Sequence, residues 1–403
     1  MKLRGADPGP VIRHLTAAVL SSWPRAAGAA KAAGAARSAA VVRSRGRILA
    51  IASAAAMAVT AVAALAPGGA TARAASVTGP AITVADGNSV IAEQTSGNGL
   101  RFYWNEHGTS TWHGEQVAPD GTTFSAPAIA QAGTFVVIAA QGADNSLDFY
   151  WQPNGGSGWH MQTVAGSATS YFVPSVMQDG AGVVIAEQGA GNSLDFFWAA
   201  SVGSGWHPET VSGPGTTFSV PALTVNGSSV NIAAQGPGNS LDFYWAVNGS
   251  STWTREVVAG AGTTTSAPAI TVNQGSVNIA ALNGNSLGTE FYWAVNGSTT
   301  WHPEVLPGFD SGAPAITTYP GGVHVVNTTL FASVGDESAV NGTGSWQWTQ
   351  VSGLEHAGSF AAVTTNDGIE NIAFIGGDGN LYFYWQASDG FWVRELVDTS
   401  ANL

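Results

Sequence analysis

Short apolar runs separated by clusters of Gly, Asn, Ser and Pro make up most of this chain. In the stretch from 221 to 266 the runs are 222–225, 230–235, 241–247 and 253–258, and they are rich in Val, Ile, Phe, Tyr and Trp. Runs of this length and composition predict β-strands rather than helices. The Asn-Gly turns between them favour antiparallel hairpins, because both residues tolerate positive φ.

This four-run unit recurs at a nearly fixed period. A run ending in Phe-Tyr-Trp or Phe-Phe-Trp closes at Trp104, Trp151, Trp198, Trp245, Trp293 and Trp385, in steps of 47, 47, 47, 48 and 92 residues. Because 92 is twice 46, one unit in the last interval has lost the signature, and seven units are implied. Seven units of four antiparallel strands predict an all-β fold, a seven-bladed β-propeller built from repeats of about 47 residues.

The contiguous aromatic residues support a sheet covered on both faces. Successive side chains of a strand point to opposite faces, so Phe243, Tyr244 and Trp245 cannot all avoid water in a sheet with one wet face. A propeller blade is covered on both faces by its neighbours, and the rings are therefore predicted to pack between blades. In the sixth unit Asp336-Glu337-Ser338 replaces the aromatic triplet. We expect a wet or irregular third strand there, through decay of one repeat or as a specialised acidic site.

The first 74 residues differ in composition from the rest. They are rich in Ala and hold ten of the thirteen basic residues of the chain. Basic residues precede an apolar stretch from 48 to 65, and small residues follow it, an order typical of a secretory signal peptide. We expect an N-terminal extension with a signal peptide at 1–74, a propeller at 75–403 and a secreted, extracellular protein. An uncleaved membrane anchor is the alternative for the apolar stretch.

The predicted mature chain is strongly acidic. From residue 75 onward three Arg stand against 25 acidic residues, a formal charge of −22. Nucleic acid and anionic membrane surfaces would be repelled, so neither is expected as a partner, and no membrane insertion of the mature chain is expected. The absence of Cys excludes disulfides, thiol catalysis and cysteine metal sites.

The most regular polar feature is the loop between the second and third runs, which we expect to lie at the same end as the inter-blade linkers. Amides and carboxylates next to an aromatic ring suit a neutral sugar, because polar groups bind its hydroxyls while a ring covers its apolar C–H patch. The same Asn and Gly residues are also ordinary in tight turns. The candidate ligand-binding residues are Gln94, Asn98, Trp104, Gln141, Asn145, Asp148, Trp151, Gln188, Asn192, Asp195, Trp198, Gln235, Asn239, Asp242 and Trp245.

A second recurring motif opens the fourth run of several units. Trp-His-x-Glu occurs at 112–115, 206–209 and 301–304. A His and a Glu two apart share one face of a strand, an arrangement compatible with a metal site or an acid/base pair. Each copy lies on the outermost strand and no single site collects three ligands, so no metal and no cofactor is predicted; calcium is compatible with the many carboxylates but nothing in the sequence supports it.

Enzymatic motifs are absent from the sequence. The turn before Trp253 is similar to the repeated box of sialidases, but Gly249 stands four residues before the Trp where that box has three. Sialidases also need a cluster of Arg, which the repeats lack. No nucleophile elbow, P-loop or zinc-protease motif occurs, and the chain is predicted not to be an enzyme. A glycan-cleaving propeller centred on Asp336 and Glu337 is the enzymatic alternative.

The repeat resembles that of the Photorhabdus-type seven-bladed propeller lectins. The residues that carry the likeness are Ser-Ala-Pro-Ala-Ile at 125–129, Gly-Ala-Asp-Asn-Ser-Leu at 142–147, Trp-Gln at 151–152 and Gly-Trp at 158–159. The likeness spans about residues 76 to 400. It implies a secreted or surface lectin with several equivalent sites for fucose-type or O-methylated sugars in clefts between blades. The family's Asp-Gly-Arg-Leu-Glu-Val second strand is absent, so the identity of the sugar does not carry over.

Together these observations predict a secreted, multivalent carbohydrate-binding protein, a lectin, with repeated sites between the blades or at their rim. Several weak sites on one rigid ring would gain avidity on a glycan-coated surface. The alternative is a non-catalytic propeller scaffold that binds a protein partner.

Overall fold

The computed structural model describes residues 79–106, 109–353 and 355–399. The predicted extension and signal peptide at 1–74 lie outside the described residues. The described chain folds into seven antiparallel sheets of four strands, which we number as blades 1 to 7. Among these residues no helix is both long and apolar enough to cross a membrane.

The strands follow one another in chain order. Blades 1 to 4 contain β1 (Ala81–Ala85), β2 (Asn88–Gln94), β3 (Leu100–Asn105), β4 (Trp112–Ala118); β5 (Ala128–Ala132), β6 (Phe135–Gln141), β7 (Leu147–Pro153), β8 (His160–Ala165); β9 (Ser175–Asp179), β10 (Gly182–Gln188), β11 (Leu194–Ala199), β12 (Trp206–Ser212); β13 (Ala222–Asn226), β14 (Ser229–Gln235), β15 (Leu241–Val247), β16 (Thr254–Ala259). Blades 5 to 7 contain β17 (Ala269–Asn273), β18 (Ser276–Leu282), β19 (Thr289–Val295), β20 (His302–Val305); β21 (Ala315–Tyr319), β22 (Gly322–Thr328), β23 (Val334–Val340), β24 (Trp346–Gln350); β25 (Ala362–Asn366), β26 (Ile369–Ile375), β27 (Leu381–Gln386), β28 (Trp392–Asp398). One 3-10 turn, Ala143–Asn145, lies between β6 and β7.

The first strand of each blade is the innermost. It pairs only with the second strand of its own blade and contacts the first strands of the two adjacent blades. The ring closes where β1 contacts β25. Every blade is made of four consecutive strands, so no blade combines strands from both ends of the chain. The predicted seven-bladed propeller is confirmed.

The apolar core lies between the blades rather than at one central point. Phe196 of blade 3 and Tyr244 of blade 4 belong to the same cluster, together with Val184 and Val230. The Phe of a third strand therefore faces the following blade, while the Tyr beside it faces the preceding one, as alternation along a strand requires. Phe196 is 5% and Tyr244 is 2% exposed, which confirms that the aromatic rings pack between blades.

The sixth blade keeps regular geometry, and the expectation of a wet or irregular third strand is wrong. β23 is a seven-residue strand, and Asp336 and Glu337 are buried. Glu337 accepts hydrogen bonds from the Gly308 N–H at 2.7 Å and from Asn327 Nδ2 at 2.8 Å. These donors replace the hydrogen bonds to water that the carboxylate loses on burial, so Glu337 can be buried in β23. Burial and the nearby Asp310 still raise the pKa of Glu337 to about 8.

Each blade has two distinct ends. At the linker end lie the loop between the second and third strands and the linker to the next blade; the N–H groups of Thr216 and Thr217 in one such linker both bind the carbonyl of Asn192 in the loop, each at 3.0 Å. The turns that join strands one to two and strands three to four lie at the opposite end, which we call the turn end. The position of a residue along its strand therefore determines whether it lies near the linker end or the turn end.

Candidate functional site

The predicted Gln and Asn residues form a repeated structural link at the linker end, which we call the amide rim. In blade 3 the Nε2 of Gln188 donates to Asn192 Oδ1 at 2.9 Å and to the Thr217 carbonyl at 2.6 Å. Asn192 has a φ of 64°, a conformation that Asn adopts more readily than other non-Gly residues. The same two bonds recur from Gln94 to Asn98 and Thr123, from Gln141 to Asn145 and Ser170, and from Gln235 to Asn239 and Thr264.

The amide rim is largely buried. Gln188 is 2% exposed, and its amide hydrogens are directed to atoms of the chain. A ligand at this end would therefore contact the exposed loop and linker residues around the amides. A ligand role for the rim residues remains a prediction.

The predicted Asp residues begin the third strands beside the rim. Each is packed against the glycine that follows the rim Gln: a Cβ on Gly189 would lie 1.9 Å from Asp195 Oδ2, so only glycine fits. Asp242 is fully buried and binds Arg255, with the nearest atoms at 2.8 Å. Asp148 accepts from Thr163 at 3.1 Å, and burial raises its pKa.

The predicted Trp residues lie toward the turn end, away from the rim. Gln188 pairs with Leu194 at the start of β11, and Trp198 lies four residues further along the strand. Four residues of extended strand span about 13 Å. The candidate residues of the sequence analysis therefore do not form one site. The amides lie at the linker end, and the indoles lie toward the turn end: Trp104, Trp151, Trp198 and Trp245.

The Glu of the fourth strand joins two blades, a role that the sequence did not predict. Glu304 accepts a hydrogen bond from Trp293 of its own blade at 2.9 Å and another from Trp346 of the next blade at 2.8 Å. The indoles of Trp198 and Trp253 share Glu209, those of Trp245 and Trp301 share Glu256, and those of Trp385 and Trp112 share Glu395.

The histidine of the same motif serves a different purpose. His207 stacks on Trp198 with ring centroids 4.0 Å apart, and His302 stacks on Trp293 at 4.2 Å. The imidazole therefore covers the exposed side of its own blade while the Glu reaches into the interface. The side chains of His207 and Glu209 therefore do not converge on one point.

Three of these Trp-Glu links form the walls of open clefts between blades at the turn end. Cleft 3/4 contains Trp198, Glu209, Asp179 and Asn248 and encloses about 270 Å³. Cleft 5/6 contains Trp293, Glu304, Asn273 and Asn341 and encloses about 470 Å³. Cleft 7/1 contains Trp385, Glu395, Asn366 and Asn105 and encloses about 310 Å³.

The polar walls of clefts 3/4 and 5/6 have a common plan. The last residue of a first strand meets a turn residue of the next blade: Asn248 Nδ2 donates to Asp179 Oδ1 at 2.6 Å, and Asn273 Nδ2 donates to Asn341 Oδ1 at 2.5 Å. In cleft 7/1 Asn366 also ends a first strand, but its Nδ2 donates to the Gly87 carbonyl at 3.0 Å, and the amide of Asn105 comes from the end of β3. An indole, a carboxylate and amide groups thus surround each cleft.

This arrangement is suited to binding a small polyhydroxylated ligand. The Glu oxygens that accept one indole N–H each retain further acceptor sites, and the amides offer both donors and acceptors. The indole provides an apolar wall beside them. The sequence contained the Trp and the Glu of each cleft, but Asp179, Asn273 and Asn366 end first strands with no shared motif and gave no signal.

Blade 6 has a separate aromatic surface at the linker end. Phe309, Phe331 and Trp348 line a pocket of about 520 Å³ with His356. Phe331 is 78% exposed and Phe309 is 61% exposed, so this is an apolar surface in contact with water. We call it the blade 6 aromatic patch.

No family model and no curated protein matches the sequence. Among solved structures, the BP39L lectin from Burkholderia pseudomallei is similar with a TM-score of 0.69 and 17% identity over 79% of this chain and 99% of that chain. AofleA from Arthrobotrys oligospora has a TM-score of 0.50 and 14% identity, over 69% and 86%. A prolyl endopeptidase has a TM-score of 0.55 and 12% identity, and the match covers 79% of this chain but about half of the enzyme, 49%. At these identities the likeness shows the propeller fold.

Proposed function

We propose that this protein is a lectin that binds carbohydrate in the inter-blade clefts at the turn end and does not cleave it. The observation that carries the proposal is the repetition of one arrangement, a Trp that donates to a Glu with polar Asn or Asp side chains beside them, in clefts 3/4, 5/6 and 7/1. A catalytic centre is normally built once in a molecule, whereas a repeated site gains from multivalence. The similarity of the fold to that of a lectin, BP39L, is in keeping with this function.

The site is placed in the clefts rather than at the amide rim because the rim amides are engaged within the chain. The volume of each cleft matches a monosaccharide or disaccharide better than a long polymer. Fucose-type or O-methylated sugars are the ligands that the resemblance of the repeats implies, and a methyl group could contact the indole wall. Export from the cell, which the N-terminal sequence predicts, would expose the ring to such glycans.

A glycan array with the purified protein, run with and without calcium, tests the proposal. We expect specific binding to one class of sugar. A cleft variant, Asp179→Ala with Asn248→Ala, and a rim variant, Asn192→Gly, then distinguish cleft 3/4 from the amide rim of blade 3. Weakened binding by the cleft variant supports the clefts, while loss only in the rim variant would move the site to the linker end. A blank array with folded protein would contradict the proposal.

The blade 6 aromatic patch favours a second candidate function, a scaffold that binds a protein partner. Exposed aromatic residues are enriched at the centres of protein interfaces. A partner would bind once per ring, since the other blades lack the patch among the described residues. Replacing Phe331 with Ser would abolish partner binding and leave the sugar sites unchanged.

A further inference from the structure

Three positions meet at every interface between blades. They are the third residue of a blade's second strand, the third residue of its third strand, and the second residue of the next blade's second strand. Between blades 3 and 4 these are Val184, Phe196 and Val230, which pack in one apolar cluster. The interfaces between blades 1 and 2 and between blades 2 and 3 have the same residue types, namely Val90, Phe102, Val136 and Val137, Phe149, Val183.

The interface between blades 6 and 7 carries His324, Asp336 and Glu370 at these three positions. The other three interfaces keep Phe at the central position, with Asn, Val or Ser beside it, and none has an acid or a His at any of the three: they carry Asn231, Phe243, Val277; Asn278, Phe291, Val323; and Asn371, Phe383, Ser89. Random decay of one repeat would not be expected to place three metal-ligand residue types on two different blades at one point.

The three side chains converge closely. His324 Nδ1 lies 3.1 Å from Asp336 Oδ1 and 3.0 Å from Glu370 Oε2. One ligand atom from each of the three residues lies within 4.8 Å of the others. Asp336 and Glu370 are each 3% exposed, so water contributes little to their solvation.

Hydrogen bonding within the cluster leaves one carboxylate unsatisfied. The imidazole Nδ1 holds at most one hydrogen, and both carboxylates approach that same atom. Apart from the approach of His324 Nδ1 to Oε2, neither oxygen of Glu370 has a hydrogen-bond donor among the described residues. A buried carboxylate without a donor or a cation is costly, so the arrangement calls for a further positive ligand.

We propose that His324, Asp336 and Glu370 bind a divalent transition metal ion of the Zn²⁺ type, which joins blades 6 and 7. Ligand atoms around tetrahedral Zn²⁺ at bond lengths of about 2.0 Å lie about 3.3 Å apart, close to the two distances found here. One imidazole nitrogen with carboxylate oxygens suits Zn²⁺ better than Ca²⁺, which takes oxygen ligands. A water molecule completes the four ligands.

The ion would replace contacts that this interface lacks. At the other interfaces a Phe meets the Trp of the next blade edge to face, as Phe196 meets Trp253 at 5.1 Å. In blade 6 Asp336 stands in the place of that Phe, and Thr349 stands in the place of the bridging Glu. The indole nitrogen of Trp392 in blade 7 consequently has no hydrogen-bond partner among the described residues. The metal therefore has a structural role in closing the ring.

Calorimetric titration of Zn²⁺ into the tag-free, chelator-treated protein tests the site. We expect one equivalent of Zn²⁺ to bind per chain and Ca²⁺ not to compete. Saturating Zn²⁺ at about 100 times its Kd should raise the Tm by about 5 °C. Glu370→Gln should weaken Zn²⁺ binding at least tenfold and abolish the rise in Tm, while His207→Ala, which removes an exposed imidazole in blade 3, should change neither.

A second variant separates metal binding from folding. The triple exchange His324→Val, Asp336→Phe and Glu370→Val installs the residue types of the interface between blades 3 and 4, and it should fold without binding Zn²⁺. The proposal is overturned if the wild-type protein binds no Zn²⁺ stoichiometrically. It is also overturned if Glu370→Gln binds Zn²⁺ as tightly as His207→Ala does.

Discussion

The carboxylate of Glu209 in blade 3 accepts the indole N–H of Trp253 in blade 4 at 3.2 Å, while its other oxygen accepts that of Trp198 at 3.0 Å. One acidic residue thus fixes two indoles from different blades. Hydrogen bonds to charged acceptors are stronger than neutral ones, so a repeated link of this kind contributes to holding the ring closed without disulfides. The same link forms one wall of a proposed sugar site.

Blade 2 lacks this link and provides a test of its strength. Gln162 stands in the place of the bridging Glu, and the indole nitrogen of Trp206 in blade 3 has no partner among the described residues. We expect Gln162→Glu to raise the free energy of unfolding by about 1 kcal/mol, because a carboxylate accepts an indole N–H more strongly than the amide oxygen of Gln162, which receives no hydrogen bond from the described residues. Thermal unfolding followed by circular dichroism measures the change. The reverse exchange at the matched site, Glu209→Gln, should lower the Tm; shifts of both variants in the same direction would contradict this explanation.

The proposed sugar sites predict a change in stoichiometry. Asp179→Ala with Asn248→Ala removes the hydrogen-bonded carboxylate and amide of cleft 3/4 and leaves clefts 5/6 and 7/1 intact. We expect titration calorimetry with the sugar identified on the array to show one fewer site per chain and an unchanged Kd at the others. An equal weakening at all sites would instead indicate a change in the whole ring.

The amide rim is expected to act on stability. Asn192→Ala removes the acceptor of Gln188 and forces Ala to a φ near 64°, which together should cost about 1 to 2 kcal/mol. Asn192→Gly loses the same acceptor but adopts the backbone conformation freely, so its loss should be smaller. Denaturant unfolding compares the two. If both variants are as stable as the wild type and sugar binding falls, the rim is a ligand site.

A buried acid in blade 3 predicts a specific pH dependence. Glu187 is fully buried, and burial raises its pKa to about 8 from an ordinary value of 4.5. Between pH 4.5 and pH 8 the carboxyl group of Glu187 therefore keeps its proton in the folded state but has lost it in the unfolded state. Its contribution to stability is complete below pH 4.5 and is lost as the pH rises toward 8, by up to about 1.4 kcal/mol per pH unit.

The Glu187→Gln variant has no carboxyl group at this position and therefore no proton to release. The stability of the wild type relative to the variant should therefore fall between pH 4.5 and 8 and level off above pH 8. Melting curves of both proteins across this range check the prediction, with the exposed Glu106→Gln as a control that should follow the wild type. Parallel curves for the wild type and Glu187→Gln would show that the carboxylate is solvated.

The repeat pattern predicted the fold because one unit recurs seven times. Apolar runs, turn residues and the spacing of Trp104 to Trp385 depend on contacts within a blade, which are local in sequence. The same locality explains why the rim amides were placed correctly at the linker end. Their burial was not predictable, because the bond from Gln188 to the Thr217 carbonyl joins residues 29 apart, across the linker.

The polar contacts between blades could not be predicted from the sequence. Glu304 and Trp346 are 42 residues apart, and only the rotation of one blade against the next brings them together. The sequence showed that Asp336 replaces an aromatic residue. Its partner Glu370 lies in the next repeat, at a position where other blades have a core residue such as Val230. A comparison of the seven units at every position, rather than of their signatures alone, could have revealed this pair.

The chain enters the ring at β1 and leaves it at β28, and each blade is a continuous segment. Blade 7 meets blade 1 through Tyr103 and Asp398 at 2.5 Å and through Trp112 and Glu395 at 2.8 Å, the second being the same kind of bond that joins other neighbouring blades. The interface between blades 7 and 1 is thus held by the same kind of bond as most other interfaces between blades. Which blade comes first is a matter of covalent connectivity, so cutting the chain at a linker and rejoining Ala81 to Asp398 through a short peptide should preserve the ring.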